Sequence, residues 1–138
     1  MNPSRLLFGS AIFLGSFLLF LVEPIAARQL LPILGGSAAV WITCLVFFQT
    51  ALLIAYLYAH WLSQRSFRTL HATLVLLASG TAFVWAFHPP ALPAGAGHPI
   101  VAVFAALSLW IGLPFLALGA TSPLLQAWWA RVHSSEIP

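Results

Sequence analysis

The chain has 138 residues, of which 62% are hydrophobic and 5% charged; a soluble domain carries about 25% charged residues, so this chain lacks the charge to coat a water-facing surface. Its net charge of +3 comes from dispersed arginines with no lysine, which excludes the basic patch of a nucleic-acid binder. Hydropathy extends across the whole sequence, so lipid is the expected solvent and a polytopic membrane protein the expected class.

A helix needs about 20 apolar residues to cross a bilayer core, and four stretches qualify. The first covers about residues 6–27 and reads as a retained span, since its apolar run is too long for a signal peptide and more membrane follows. It carries Gly9, Ser16 and Glu23 at seven-residue steps. Seven residues are nearly two turns, so these three share one face. Such a stripe on a Leu/Phe helix marks a seam facing protein. Glu23 is one of only two acidic residues, and an ionisable group within a span points to function. It lies near the outer end of the span, where Arg28 competes with any ligand for it. Pro24 and unwinding near Pro32 would allow that ion pair.

Pro32 and Gly35-Gly36 are expected to end the first span. The second covers about residues 38–62. Gln49, Tyr56 and His60 fall within about 40° of one another on it and read as a polar seam closing on the other helices. Cys44 sits in an apolar run and reads as a small core residue. "SQRSFR" separates the second span from the third, which covers about residues 70–87. His71 and His88 lie at or near its ends, where a wet imidazole is ordinary. "HPPALPAGAGHP" follows, and its prolines cannot sit inside a helix. The fourth span covers about residues 100–120, with Ala105, Ser108, Gly112 and Gly119 on a common face and a kink expected at Pro114. Ser122 then reads as an N-cap and Pro123 as the first position of a short interfacial helix over about residues 123–133. The tail "VHSSEIP" reads as polar and frayed. No span alternates with a period of two, so the expected fold is all-α: a bundle of four transmembrane helices plus the interfacial one.

Orientation follows from arginine. Arg5, Arg65, Arg68 and Arg131 fall on one side of a four-span chain and Arg28 alone on the other. The positive-inside rule then puts both termini in the cytoplasm. The expected partners are the lipid bilayer and other transmembrane helices, either further spans of a longer protein or further copies of this chain.

Catalytic signatures are missing. There is no GxSxG, HExxH or P-loop, and paired-carboxylate chemistry would need Glu136 in the polar tail. Five histidines without acidic partners make a poor metal site. No enzyme activity and no cofactor are expected of this chain alone.

The stretch "LVEPIAARQLLPILGGSAAVWITCLVFFQTALLIAYLYAHWL" resembles the start of the bacterial membrane-embedded spermidine synthase-like proteins. Glu23, Pro24, Arg28, Leu30, Leu31, Pro32, Gly35, Gly36 and Ser37 fill the first part of the family's pattern. Val40, Trp41, Thr43, Cys44, Phe47, Phe48 and Gln49 continue it, and Tyr56, Tyr58, Ala59 and His60 follow. "LPFLALGATSPLLQAWWAR" is similar to its fourth-span signature. The resemblance covers the N-terminal membrane part of that family, described as a major-facilitator-like region fused to a spermidine synthase-like domain. It implies further spans and a Rossmann-like domain for decarboxylated S-adenosylmethionine and a polyamine, none of which is in this sequence. The expected role is a membrane anchor or scaffold, with the handling of polyamine-like cations at Glu23, Gln49 and Tyr56 as its finer version. The alternative is a small proton-coupled cation or multidrug exporter acting as an oligomer, with Glu23 as its carboxylate.

Overall fold

The computed structural model describes residues 3–34, 37–65, 67–88 and 98–134. The Gly35-Gly36 turn, most of the proline-rich stretch between the third and fourth spans, and the end of the polar tail lie outside the described residues. The elements are α1 (Pro3–Leu34), α2 (Ala38–Ser63), α3 (Arg68–Phe87), α4 (Pro99–Leu107), a π-helical turn (Ser108–Gly112) and α5 (Leu113–Ser134). Among the described residues there is no strand. Four helical segments are long and apolar enough to cross a membrane: Leu6–Gln29, Ala38–Ser63, Arg68–Phe87 and Ile100–Arg131.

Two helices run further than their sequence signals suggest. α1 passes through Pro24 and Pro32 without a break and reaches Leu34. The helical stretch expected over residues 123–133 is present, but it continues the fourth span. Ser122 is therefore not an N-cap, and Pro123 lies inside α5. The cause is the solvent. In water a proline ends a helix because the freed carbonyls find other partners. In hydrocarbon a break exposes several unpaired backbone groups, which costs more than the one hydrogen bond each proline removes. At Pro114 the chain responds differently. The wider turn Ser108–Gly112 lies just before it, one residue away, and gives its ring room.

The chain runs up and down, so odd and even spans are antiparallel. The start of α1 meets the end of α5, where the Phe8 and Trp129 rings lie 4.4 Å apart. Ser37 caps α2 by accepting from the Val40 N–H at 3.4 Å. α5 is the central helix and packs on α2, α1 and α3. One core cluster joins Cys44, Phe47, Phe48 and Ala51 of α2 to Val103, Ala106, Leu107 and Phe115. A second joins Ala55, Ala59 and Leu62 to Ala120 and Leu124. The helices approach closely at Gly119, where an added Cβ would meet Ala55 Cβ at 3.0 Å. Small residues at such a crossing let dispersion act over a long contact, the main attraction available between helices in lipid. α3 is peripheral and buries only His71 and Ala78.

Candidate functional site

Glu23 is half-buried on α1. Arg28 is exposed. Because α1 stays helical across the interval, five residues rotate the two side chains about 140° apart. Neither residue takes part in an ion pair or hydrogen bond among the described residues. The unwinding that would bring Glu23 to Arg28 is not there.

Gln49, Tyr56 and His60 share one face of α2, and all three are exposed. The buried face of that helix carries Val40, Thr43, Cys44, Phe47, Phe48, Ala51, Ala55, Ala59 and Leu62, on the opposite side. Gln49 and Tyr56 therefore point away from the bundle, while Glu23 is half-buried. The four candidate ligand residues are not gathered into one pocket.

The packing seam divides in a similar way. Ser16 Oγ lies 3.4 Å from Ser122 Oγ, and Ser122 Oγ lies 3.5 Å from the Ile12 carbonyl. A Cβ on Gly15 would meet Ser122 Oγ at 3.4 Å, whereas one on Gly9 would meet nothing within 4 Å. Gly15 rather than Gly9 thus lies against the fourth span, beside Ser16. Gly119 sits in the core, while Ser108 and Gly112 border an outward groove of about 350 Å³.

One of the two buried polar residues among the described ones is at a position that the sequence suggests is wet. His71 is 6% exposed, between α2, α3 and α5. Its Nε2 lies 3.1 Å from Thr121 Oγ1, and Thr121 Oγ1 donates to the Ala117 carbonyl at 2.6 Å. A threonine hydroxyl has one proton, so toward His71 it accepts. Neutral His71 therefore carries its proton on Nε2 and presents a lone pair at Nδ1. That Nδ1 is buried without a partner among the described residues, as is the Tyr58 hydroxyl. The Tyr58 and His71 rings lie 6.1 Å apart, so an orphan acceptor and an orphan donor occur on neighbouring side chains. Trp128 closes the cluster edge-on to His71 at 6.2 Å, and the Arg68 guanidinium lies over Trp128 at 5.6 Å. The available signal was the seven-residue step from His71 to Ala78, a small-and-polar stripe on an otherwise bulky helix.

At the opposite end, α1, α3 and the π-turn enclose a cleft of about 310 Å³. Val22, Ala26, Gln29, Trp85, Trp110 and Pro114 line it, and Trp110 Nε1 is buried without a partner among the described residues. Its walls are apolar with a single amide. No group of three or more His, Cys, Asp or Glu side chains with metal-holding geometry occurs among the described residues. Comparisons with protein-family models, with curated proteins and with solved structures find no match.

Proposed function

We propose that the chain is the integral membrane part of a spermidine synthase-like protein, and that it acts chiefly as a membrane anchor and scaffold. The observation that carries the reading is the outward surface. Phe13, Phe20, Leu76 and Phe83 are 72%, 76%, 72% and 68% exposed, along helices long enough to span a bilayer. Only lipid or further transmembrane helices can cover such a surface. The resemblance of the Glu23-to-Gln49 stretch to that family supplies the identity of the anchored partner. Arg65, Arg68 and Arg131 lie toward one end of the bundle and Arg28 toward the other, which supports cytoplasmic termini in the inner membrane.

The test is the size and fractionation of the native product. An antibody to the Arg65–Arg68 loop should detect, in carbonate-washed membranes, a protein well above 14.9 kDa that carries a synthase-like domain. A native product of the size of this chain ends the fusion reading. Release by carbonate ends the membrane reading.

A second reading, a proton-coupled cation exporter, draws on one observation: Glu23 is half-buried with no ion-pair partner among the described residues. The same carboxylate carries the polyamine-handling version of the first. Glu23→Gln should then abolish resistance to lipophilic cations on the exporter reading, and polyamine uptake by vesicles on the polyamine-handling one. Unchanged values for both leave the anchor alone.

A further inference from the structure

We propose that the outward face of α2 is a dimer seam, and that its occupant is α2 of a second copy of this chain, parallel to the first and related to it by a two-fold axis. The inference rests on the reading that these helices cross a membrane.

The carrying observation is Gln49. It lies about 160° around α2 from the buried Ala51, at ~100° per residue. It comes eleven residues after Ala38 and fourteen before Ser63, so it sits at mid-span. Its amide offers donors and acceptors yet takes part in no hydrogen bond among the described residues. The neighbouring Thr50 satisfies itself on the Val46 carbonyl at 2.7 Å, as Thr43 does on Ala39 at 2.7 Å. Gln49 does not. An amide facing hydrocarbon with nothing to bond is strongly unfavourable, so the face that bears it calls for a polar partner at the same depth.

The residues around Gln49 identify that partner. Ile42, Val46, Gln49, Leu53, Tyr56 and His60 are spaced 4-3-4-3-4, the repeat of a two-helix coiled-coil seam. All six are exposed; Ile42, Val46, Leu53 and Tyr56 are 60%, 46%, 59% and 49% accessible. The stripe spans about 27 Å at 1.5 Å per residue, close to the hydrocarbon thickness. Copies inserted in the same orientation place equal residues at equal depth. Every position then meets its own kind, and a carboxamide is self-complementary: two Gln49 side chains across a two-fold axis exchange two hydrogen bonds. A single polar residue in an apolar heptad seam is also what fixes register and copy number.

The experiment uses the full chain in bacterial membranes, with Cys44→Ala removing the native thiol. Single cysteines are placed at Leu53 on the seam and at Leu76 on α3, which is 72% exposed elsewhere. Oxidation should crosslink Leu53→Cys into a species of twice the mass and leave Leu76→Cys monomeric. In the chain with native Leu53, Gln49→Leu should weaken dimerisation in vesicles at least tenfold by single-molecule photobleaching, while Gln49→Asn retains most of it. Carbonate extraction of the same variants separates a failed insertion from a failed dimer. Three results overturn the proposal in membrane-inserted protein: equal crosslinking at both positions, an undiminished dimer in Gln49→Leu, or adducts of Leu53→Cys only to a different protein.

Discussion

Replacing Gly119 by alanine would place a Cβ 3.0 Å from Ala55 Cβ and 3.5 Å from Leu52 Cδ1. Carbon pairs rest at about 3.5–4.0 Å, so the first contact is roughly half an ångström short. Leu52 can turn aside. Ala55 has no side-chain torsion to give and is fully buried, so α2 and α5 must part. Overpacking of this kind costs about 1–3 kcal/mol, and replacing a helical glycine by alanine returns about 1 kcal/mol. Gly119→Ala is therefore expected to destabilise by about 0–2 kcal/mol. Gly119→Val, with two more methyls in the same place, should lose about 3 kcal/mol. Ala55→Gly removes the atom that is struck, so the Ala55→Gly/Gly119→Ala pair should show a favourable coupling of about 1–2 kcal/mol in a double-mutant cycle. The assay is unfolding of the detergent-solubilised chain by a denaturing surfactant, followed by tryptophan fluorescence and circular dichroism. A Gly119→Val variant that unfolds with the wild type, or a cycle with no coupling, refutes the close approach of these helices.

Thr121→Val keeps the shape but leaves His71 Nε2–H without its acceptor, and should cost about 1–3 kcal/mol in the same assay; Thr121→Ser should stay near wild type. Nitrogen NMR of His71 should show the Nε2–H tautomer in the wild type, and an Nδ1–H tautomer would contradict the hydrogen-bond direction derived from Thr121. Ser122→Ala should cost less than about 1 kcal/mol, because its contacts at 3.4 and 3.5 Å are long. A cysteine at Gln64, in a Cys44→Ala background, should be shielded from an impermeant thiol reagent added outside cells. Converting both Arg65 and Arg68 to Glu should expose it in a measurable fraction of chains, and full labelling of the parent would invert the orientation.

The four spans were legible because hydropathy alone determines which segments prefer lipid. Their ends were less so, for a physical reason. Proline as a stop signal is a rule of aqueous chains, and Pro24, Pro32 and Pro123 all lie inside helices. The polar stripe of Gln49, Tyr56 and His60 was legible as a stripe but not in its direction. In water a polar face points out by default. In lipid the inner and outer faces are both apolar, so periodicity groups these residues without saying which side the bundle occupies. His71 was hidden by its place at a span end. Its burial depends on α5 continuing past Ala120 to bring Thr121 and Trp128 alongside it, and local sequence does not show that continuation.

The π-turn at Ser108–Gly112 has a consequence for the tolerance of this helix to changes in length. A π-turn holds one residue more than the α-turn it replaces. Deleting a single residue there, such as Leu109, lets the backbone relax to a regular helix that carries Pro114 as α1 carries Pro24. The Val103 side and the Gly119 side then keep their rotational register with α2. The same deletion between Leu113 and Gly119 rotates everything beyond it by about 100°, carrying Thr121, Ser122 and Leu124 off their partners. The fourth span thus contains one place where a residue can be lost without turning its two halves against each other, just before the proline that its wider turn accommodates.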